Sequence, residues 1–406
     1  MPPKRKASLA VIFGIVFIDL IGFGIVIPVL PLYAERFGAS PLTVGLLLAV
    51  YSLMQFIFAP ILGRWSDRIG RRPVLLLSII GSAFGFLLMG LAGSLPLLFT
   101  GRIIDGITGG NISTAQAYIA DITPPHDRSK RMGLIGAAFG LGFIFGPAIG
   151  GVMSHFSLAA PLLFAAGLAA VNAAAVALFL PESLLPEHRK KRDISGNVPF
   201  RAGVSPLRML RQVKGSPLAV VIGAYFFSTV SFSLLTATYP LFASHRFGYG
   251  APQVGYIFAA MGILGALVQG GLMGWLVKKF GDVRLAAAGA LLLAAGMFLL
   301  PSSPSARILF AATGAIGLGH ALVVTPLNGL ASKLSSVSEQ GKALGMMQSA
   351  SSLARIAGPV LGGWMLNPDL LRAELPYGRA PYWTGAVIML VACGLTLCIR
   401  AAGEAS

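Results

Sequence analysis

The stretch YSLMQFIFAPILGRWSDRIGRRPVLLLSIIGSAFGFLLMG (51–90) decides the fold. Two apolar runs flank a loop that packs one acid and four arginines into nine residues: Arg64, Asp67, Arg68, Arg71 and Arg72. Each run has about the length a helix needs to cross a hydrocarbon core, roughly 20 residues for about 30 Å. The stretch therefore reads as two membrane spans joined on one face of a bilayer. The rest of the chain has the same character. Of 406 residues, 55% are hydrophobic and 11% charged. An ordinary soluble domain is roughly 25% charged, so a soluble enzyme or a nucleic-acid-binding domain is excluded. Mean hydropathy is +0.79. The basic N-terminus (Lys4, Arg5, Lys6) precedes an apolar run far longer than a signal-peptide core. Cys393 and Cys398 stand five residues apart, on different sides of a helix, which argues against a disulfide or a zinc site.

Apolar runs predict spans at 8–34, 42–63, 73–93, 95–120, 130–154, 159–180, 217–244, 252–277, 284–300, 305–329, 341–366 and 381–402. The expected architecture is an all-α membrane protein: twelve transmembrane helices in two pseudo-symmetric six-helix bundles. These are residues 1–180 and 217–406, joined by a linker at 181–216. The linker is polar and basic, with RKKR at 189–192 and four prolines. The net charge of +17 is dispersed over several loops. Most lysines and arginines fall at the N-terminus and in even-numbered loops. The odd-numbered loops hold only Arg36, Arg246, Arg307, Arg372 and Arg379. The positive-inside rule then puts both termini and the linker in the cytoplasm. Nucleic acid is not an expected partner.

The two halves echo each other. PLYAERFG at 31–38 answers PLFASHRFG at 240–248, and Val44-Gly45 answers Val254-Gly255. GRWSDRIGRR from Gly63 answers GWLVKKFGDVR from Gly274, an offset of 211. GPAIGG at 146–151 answers GPVLGG at 358–363, an offset of 212. Two six-helix halves with a cytoplasmic linker describe a transporter built by duplication, with its substrate site near the midplane between halves.

With these residues in view, the architecture and the 63–72 loop resemble the major facilitator superfamily. FIDLIGFGIVIPVLP (17–31) and YSLMQFIFAPILGRWSDRIGRRPVLLLS (51–78) are similar to bacterial tetracycline/proton antiporters of the drug:proton antiporter group. The resemblance spans essentially the whole chain and is closest in the N-terminal half. It implies a multi-pass monomer in the bacterial inner membrane, among membrane lipids. The implied partners are protons and a small-molecule substrate, with no cofactor, no metal and no enzymatic activity. No GxxxxGK[ST] loop is present, so ATP is not the expected fuel.

The resemblance also implies roles for particular residues. In the 63–72 loop, Gly63 and Gly70 would allow tight turns and close helix approach. Asp67 would pair with nearby arginines, Arg68, Arg71 and Arg72 among them, as a latch facing a helix N-terminus of the other half, where the dipole favours an anion. The plainer reading is a topology signal alone. Span 5 carries Gly136, Gly140, Gly142, Gly146, Pro147, Gly150 and Gly151. Several are four apart and would form one smooth packing face. The resemblance makes this string a seal or hinge toward span 8, and plain helix packing is the alternative.

Ionisable groups inside the spans are few, and each costs about 2.5–3.5 kcal/mol at the bilayer centre on insertion scales. Asp19 lies eleven residues past Ser8, roughly 16 Å deep at 1.5 Å per residue. It matches the span 1 acid that serves substrate binding or coupling in tetracycline antiporters, against the alternative of a structural partner for a buried cation. Arg102 and Asp105 stand at i,i+3 and share a helix face. The resemblance gives Arg102 a part in proton transfer. Asp105 either neutralises Arg102 or carries a second proton. Arg355 in span 11 needs an acid or a polar cavity, and Asp19 or Asp105 would serve. His320 in span 10 is either a coupling group or a hydrogen-bonded packing residue. Gln55, Asn111, Gln116 and Asn328 either line the cavity or bond between helices. Asp121, at the end of span 4, reads as an interfacial loop contact.

Span 3 has Gly85 near an acid expected from the resemblance, and span 8 has Gly265 near an expected histidine. Tetracycline binds as a metal chelate in that family, so these departures favour another drug-like or lipophilic substrate. The expected function is proton-coupled efflux by alternating access. The rival readings are a lipid or lysolipid transporter on the same fold, and a transport-inactive membrane sensor or scaffold.

Overall fold

The computed structural model describes residues 3–124, 127–184, 216–335, 339–371 and 377–404. Most of the linker expected at 181–216 lies outside them. Among the described residues the chain is helical, without strands. The helices are α1 (Pro3–Glu35), α2 (Pro41–Ile69), α3 (Arg71–Gly90), α4 in two segments (Leu95–Thr108 and Asn111–Ile122), α5 (Arg128–Met153) and α6 (Ala160–Phe179). They continue as α7 (Pro217–Phe247), α8 (Ala251–Phe280), α9 (Asp282–Leu299), α10 (Ala306–Lys333), α11 (Gln340–Leu371) and α12 (Arg379–Glu404). Ten of them are individually long and apolar enough to cross a membrane. The other two are α4, which is interrupted, and α11, which carries Gln348, Ser349, Ser351, Ser352 and Arg355.

Three elements depart from the predicted spans. The α2 helix runs six residues past Gly63, to Ile69, because nothing in RWSDRI breaks it. Gly70 then turns the chain at φ 115°, a conformation in the region that favours glycine. The predicted unbroken span at 95–120 is interrupted at Gly109 and Gly110, two adjacent glycines at which the helix loses its preference to continue. The α8 helix contains one π-helical turn, Val268–Leu272, that includes Gly270 and Gly271. The ends of α7 follow capping chemistry. The Ser216 side chain accepts a hydrogen bond from the Ala219 N–H ahead of Pro217, and Gly248 ends the helix at φ 67°.

The contacts divide the chain into two compact units. One holds residues 1–37, 50–203 and 251–256; the other holds 38–49, 204–250 and 257–406. Within the first, α1 lies along α5 and α6, and α3 lies along α4 and α6. Within the second, α7 lies along α11 and α12, and α9 along α10 and α12. Adding six to each helix number converts one pattern into the other, so the sequence repeat is also a repeat of packing.

Close backbone approach holds the first unit together. A Cβ on Gly146 would come 2.6 Å from the Gly24 Cα, and one on Gly24 would come 2.8 Å from the Gly142 carbonyl oxygen. The face formed by Gly142, Gly146 and Gly150 therefore serves α1, against Leu20, Gly24 and Ile25. That is close helix packing, one of the two readings open for the string. Gly151 is the glycine of the string that meets the start of α8, at Pro252 and Gly255, and the Pro147 carbonyl also lies against Gly255. Gly136 and Gly140 have open space beside them.

Replacing Gly146 by Leu is expected to force α1 from α5 and cost about 1–3 kcal/mol of stability, the usual range for overpacking. Gly136→Ala should be neutral or slightly stabilising, as helix propensity dictates. Thermal unfolding of the two purified variants checks the pair.

Candidate functional site

In the first unit the buried charge gathers where α1, α3 and α4 meet. Arg102 and Asp105 are 2% and 4% exposed, and Arg102 Nη1 donates to Asp105 Oδ2 at 3.0 Å. The i,i+3 spacing brings them together on the first α4 segment, as expected. Their neighbours were not evident in the sequence. The guanidinium carbon lies 4.3 Å from the centre of the Tyr51 ring, on α2. Ser82 of α3 is likewise buried, at 2% exposure. Gly85 makes the approach of α3 possible, because a Cβ there would sit 3.0 Å from the Asp105 Cβ. The absence of an acid at Gly85 is therefore also a packing requirement of this chain.

The break in α4 builds the next layer. Gln55 Nε2 donates to the Gly109 carbonyl at 2.7 Å, satisfying an acceptor beside the break. Gln55 thus bonds between helices, one of the two readings open for it. Asn111 begins the second segment and is 4% exposed. Its Oδ1 is buried without a hydrogen-bond partner among the described residues. Arg102, Asp105 and Asn111 are thus buried on α4, and Asp19 is half-buried on α1. Gln116 lies five residues beyond Asn111 on an exposed face.

A second network occupies the end of this unit that carries the α2–α3 turn. Arg71 is 4% exposed. Its Nη2 lies 2.6 Å from Asp67 Oδ1 and its Nε 3.1 Å from Asp121 Oδ2. Its Nη1 donates to the Ser66 hydroxyl at 2.6 Å. The Glu182 carboxylate accepts from the backbone N–H groups of Arg71 and Arg72, at 2.9 and 3.2 Å. A carboxylate at a helix N-terminus satisfies orphan donors and complements the dipole. Arg72 donates to the Ala177 carbonyl and Arg64 to the Pro60 carbonyl. Asp67 thus pairs with Arg71, and Arg71 ties the end of α2 to the end of α4. Ser183 also donates to Asp121, at 3.2 Å, which makes that acid both a loop contact and an ion-pair partner. Gly63 has open space around it and lies inside α2, so the expected turn and close approach there are absent.

In the second unit the matching end carries the charges reversed. Asp282, in the first turn of α9, pairs with Lys333 at the end of α10. The offset of 211 maps Arg71 onto Asp282, and the offset of 212 maps Asp121 onto Lys333. The repeat offset was a signal for this pair. His320 of α10 stacks on Phe232 of α7, with ring centres 3.6 Å apart and planes 10° from parallel. Its Nδ1 is buried without a hydrogen-bond partner among the described residues. Arg355 reaches Ser351 Oγ at 2.8 Å and Ser352 Oγ at 3.4 Å on its own helix. Asn328 donates to the Val324 carbonyl one turn back.

Comparison with known proteins fits this architecture. A family model described as "Major Facilitator Superfamily" matches residues 12–273 and 221–404. The class C tetracycline resistance protein of Escherichia coli is 35% identical, over 94% of this chain and 99% of its own length. Multidrug resistance protein 2 of Bacillus subtilis is 28% identical, over 97% of this chain and 95% of its own. The crystal structure of the human organic anion transporter MFSD10 (TETRAN) aligns with a TM-score of 0.73 at 28% identity, over 98% of this chain and all of that one. With its helical bundles and apolar spans, the chain belongs to the Major Facilitator Superfamily.

Proposed function

We propose that this protein is a proton-coupled efflux transporter that exports drug-like small molecules by alternating access. The observation that carries the reading is the buried Arg102–Asp105 ion pair in an apolar bundle, with the acid Asp19 half-buried on α1. Ionisable groups at such depth are costly and mark ion pathways. The names of the relatives, tetracycline and multidrug resistance proteins, favour drug-like cargo over lipid. Both termini face the cytoplasm of a bacterial inner membrane in this reading, and the chain works as a monomer.

Asp19 and Asp105 take up protons in turn, and Arg102 is the ion-pair partner of Asp105. Protonation weakens the Arg102–Asp105 attraction and changes which conformation is favoured. The energy is adequate. One pH unit is worth about 1.36 kcal/mol and 100 mV about 2.3 kcal/mol per charge, so one proton sustains roughly a few-hundred-fold gradient. The Asp67–Arg71–Asp121 network acts as the cytoplasmic latch. Arg355, His320 and Asn328 contribute from the second unit to substrate binding.

Proteoliposomes carrying the native chain, with ethidium as the probe, should couple ethidium movement to an imposed proton gradient. Asp19→Asn should abolish the coupling, and unchanged proton flux in that variant would remove Asp19 from the pathway. Arg102→Ala strands a buried carboxylate and should cost about 3–5 kcal/mol of stability, as breaking a buried ion pair does. Asp105→Asn in that background should recover part of the loss in thermal unfolding. Arg71→Ala should lower transport at least roughly tenfold, the scale of losing a hydrogen bond to a charged group, and leave the Arg102–Asp105 pair intact. A binding titration of ethidium, unchanged in Arg71→Ala, separates the latch role from a substrate role.

A further inference from the structure

Residues 272–280 close α8, and the chain turns at Gly281 into α9. Leu272, Trp275 and Lys279 stand at i, i+3 and i+7 and share one helix face. Leu272 is 52% exposed, Trp275 56% and Phe280 44%. The Lys279 Nζ lies 4.8 Å from the centre of the Trp275 ring and 5.4 Å from that of Phe280. The two rings meet edge to face, with centres 6.4 Å apart. An ammonium within about 6 Å of an aromatic face is attracted by the ring quadrupole. The neighbouring Leu276 and Val277 pack on Met273, Leu285 and Ala321, so the exposed face stands on a fixed core.

The cations at this end lack counter-charges. Lys278, Lys279 and Arg284 are exposed, and none of them meets a carboxylate among the described residues. Asp282, the acid between them in the chain, pairs with Lys333 instead. The repeat shows that this is peculiar to the second unit. The offset of 211 sets Trp275 against Arg64 and Lys278 against Asp67. In the first unit that acid pairs with Arg71. In the second a lysine replaces the acid, and an indole replaces the arginine.

We propose that this end of α8 is a binding site for an anionic phospholipid of the surrounding membrane. Lys279 takes the phosphate, Lys278 and Arg284 add to the positive field, and the Leu272–Trp275 face takes the upper part of an acyl chain. The order of groups along the face carries the assignment: leucine within the span, then the indole, then the ammonium at the helix end. A phospholipid presents the complementary order of chain, interface and phosphate, and indoles favour the interfacial level. A soluble anion would match the lysines and leave the apolar face unused. A zwitterionic lipid would match the face and leave the cations without a net counter-charge, whereas an anionic one satisfies both. The site is independent of the transported cargo.

The full-length protein is reconstituted into phosphatidylcholine vesicles, and phosphatidylglycerol brominated on its acyl chains is added in steps. Bromine quenches a tryptophan that it touches, and the Trp275 contribution is the part of the quenching that Trp275→Phe lacks. That part should saturate at a lower fraction of brominated phosphatidylglycerol than of brominated phosphatidylcholine. The double variant Lys278→Gln, Lys279→Gln should need a phosphatidylglycerol fraction roughly tenfold or more higher for half-quenching. Lys279→Arg should keep the native response. Equal quenching by the two lipids, or an unchanged half-quenching fraction in the double variant, overturns the site. Displacement of the lipid by soluble glycerol phosphate assigns the lysines to a soluble anion and also overturns it. Should the double variant fail to fold, the native chain decides: raising the salt concentration should abolish the preference for phosphatidylglycerol, and a preference that salt leaves intact overturns the role of the lysines.

Discussion

A guanidinium in hydrocarbon must find a counter-charge, and in the first unit Arg102 finds it one helical turn away on Asp105. The pair determines what can surround it. Its enclosure requires α3 to lie close enough for Gly85 to touch the Asp105 side chain. It also sets the Tyr51 ring against the cation. Desolvation opposes each charge and their attraction opposes desolvation, so the balance changes when one proton is added. That sensitivity is what the proposed proton coupling would use.

Backbone contact supplies the rigidity around this charge. Gly24 on α1 and Gly142, Gly146 and Gly150 on α5 bring two helices to a separation that side chains would prevent. In lipid, where apolar side chains gain little by meeting each other, close packing and interhelical hydrogen bonds take over the stabilising role. The bond from Asn172 to the Ile15 carbonyl and that from Gln55 to the Gly109 carbonyl are of this second kind.

The two units share a packing plan but not a charge plan. The contact patterns correspond helix for helix, while the pair at the α2–α3 end of one unit reappears with its signs reversed as Asp282 and Lys333. Reversing both members of an ion pair preserves its attraction, so duplicated units can drift in charge while keeping the contact. The buried charge has no such copy: α7 carries Ser231, Ser233 and Thr238 in its buried face and no acid. Among the described residues the duplicated scaffold therefore carries its buried acid, Asp105, in the first half.

Sequence by itself determined the class of solvent, the helices and the repeat. Each rests on a local count: run length against bilayer thickness, charge against loop position, and string against string at an offset near 211. It also reached the Arg102–Asp105 pair, because i,i+3 neighbours on one helix need no tertiary knowledge. Tertiary structure alone decided which partners lie across helices: Gln55 on the Gly109 carbonyl, Tyr51 on Arg102, Glu182 on the start of α3, and Gly142, Gly146 and Gly150 of α5 on α1. Those contacts join residues tens to more than a hundred positions apart, and their geometry follows from how helices rotate and cross. The break at Gly109–Gly110 belongs to the same class. Paired glycines permit an interruption, but only the donor supplied by Gln55 from another helix makes it stable.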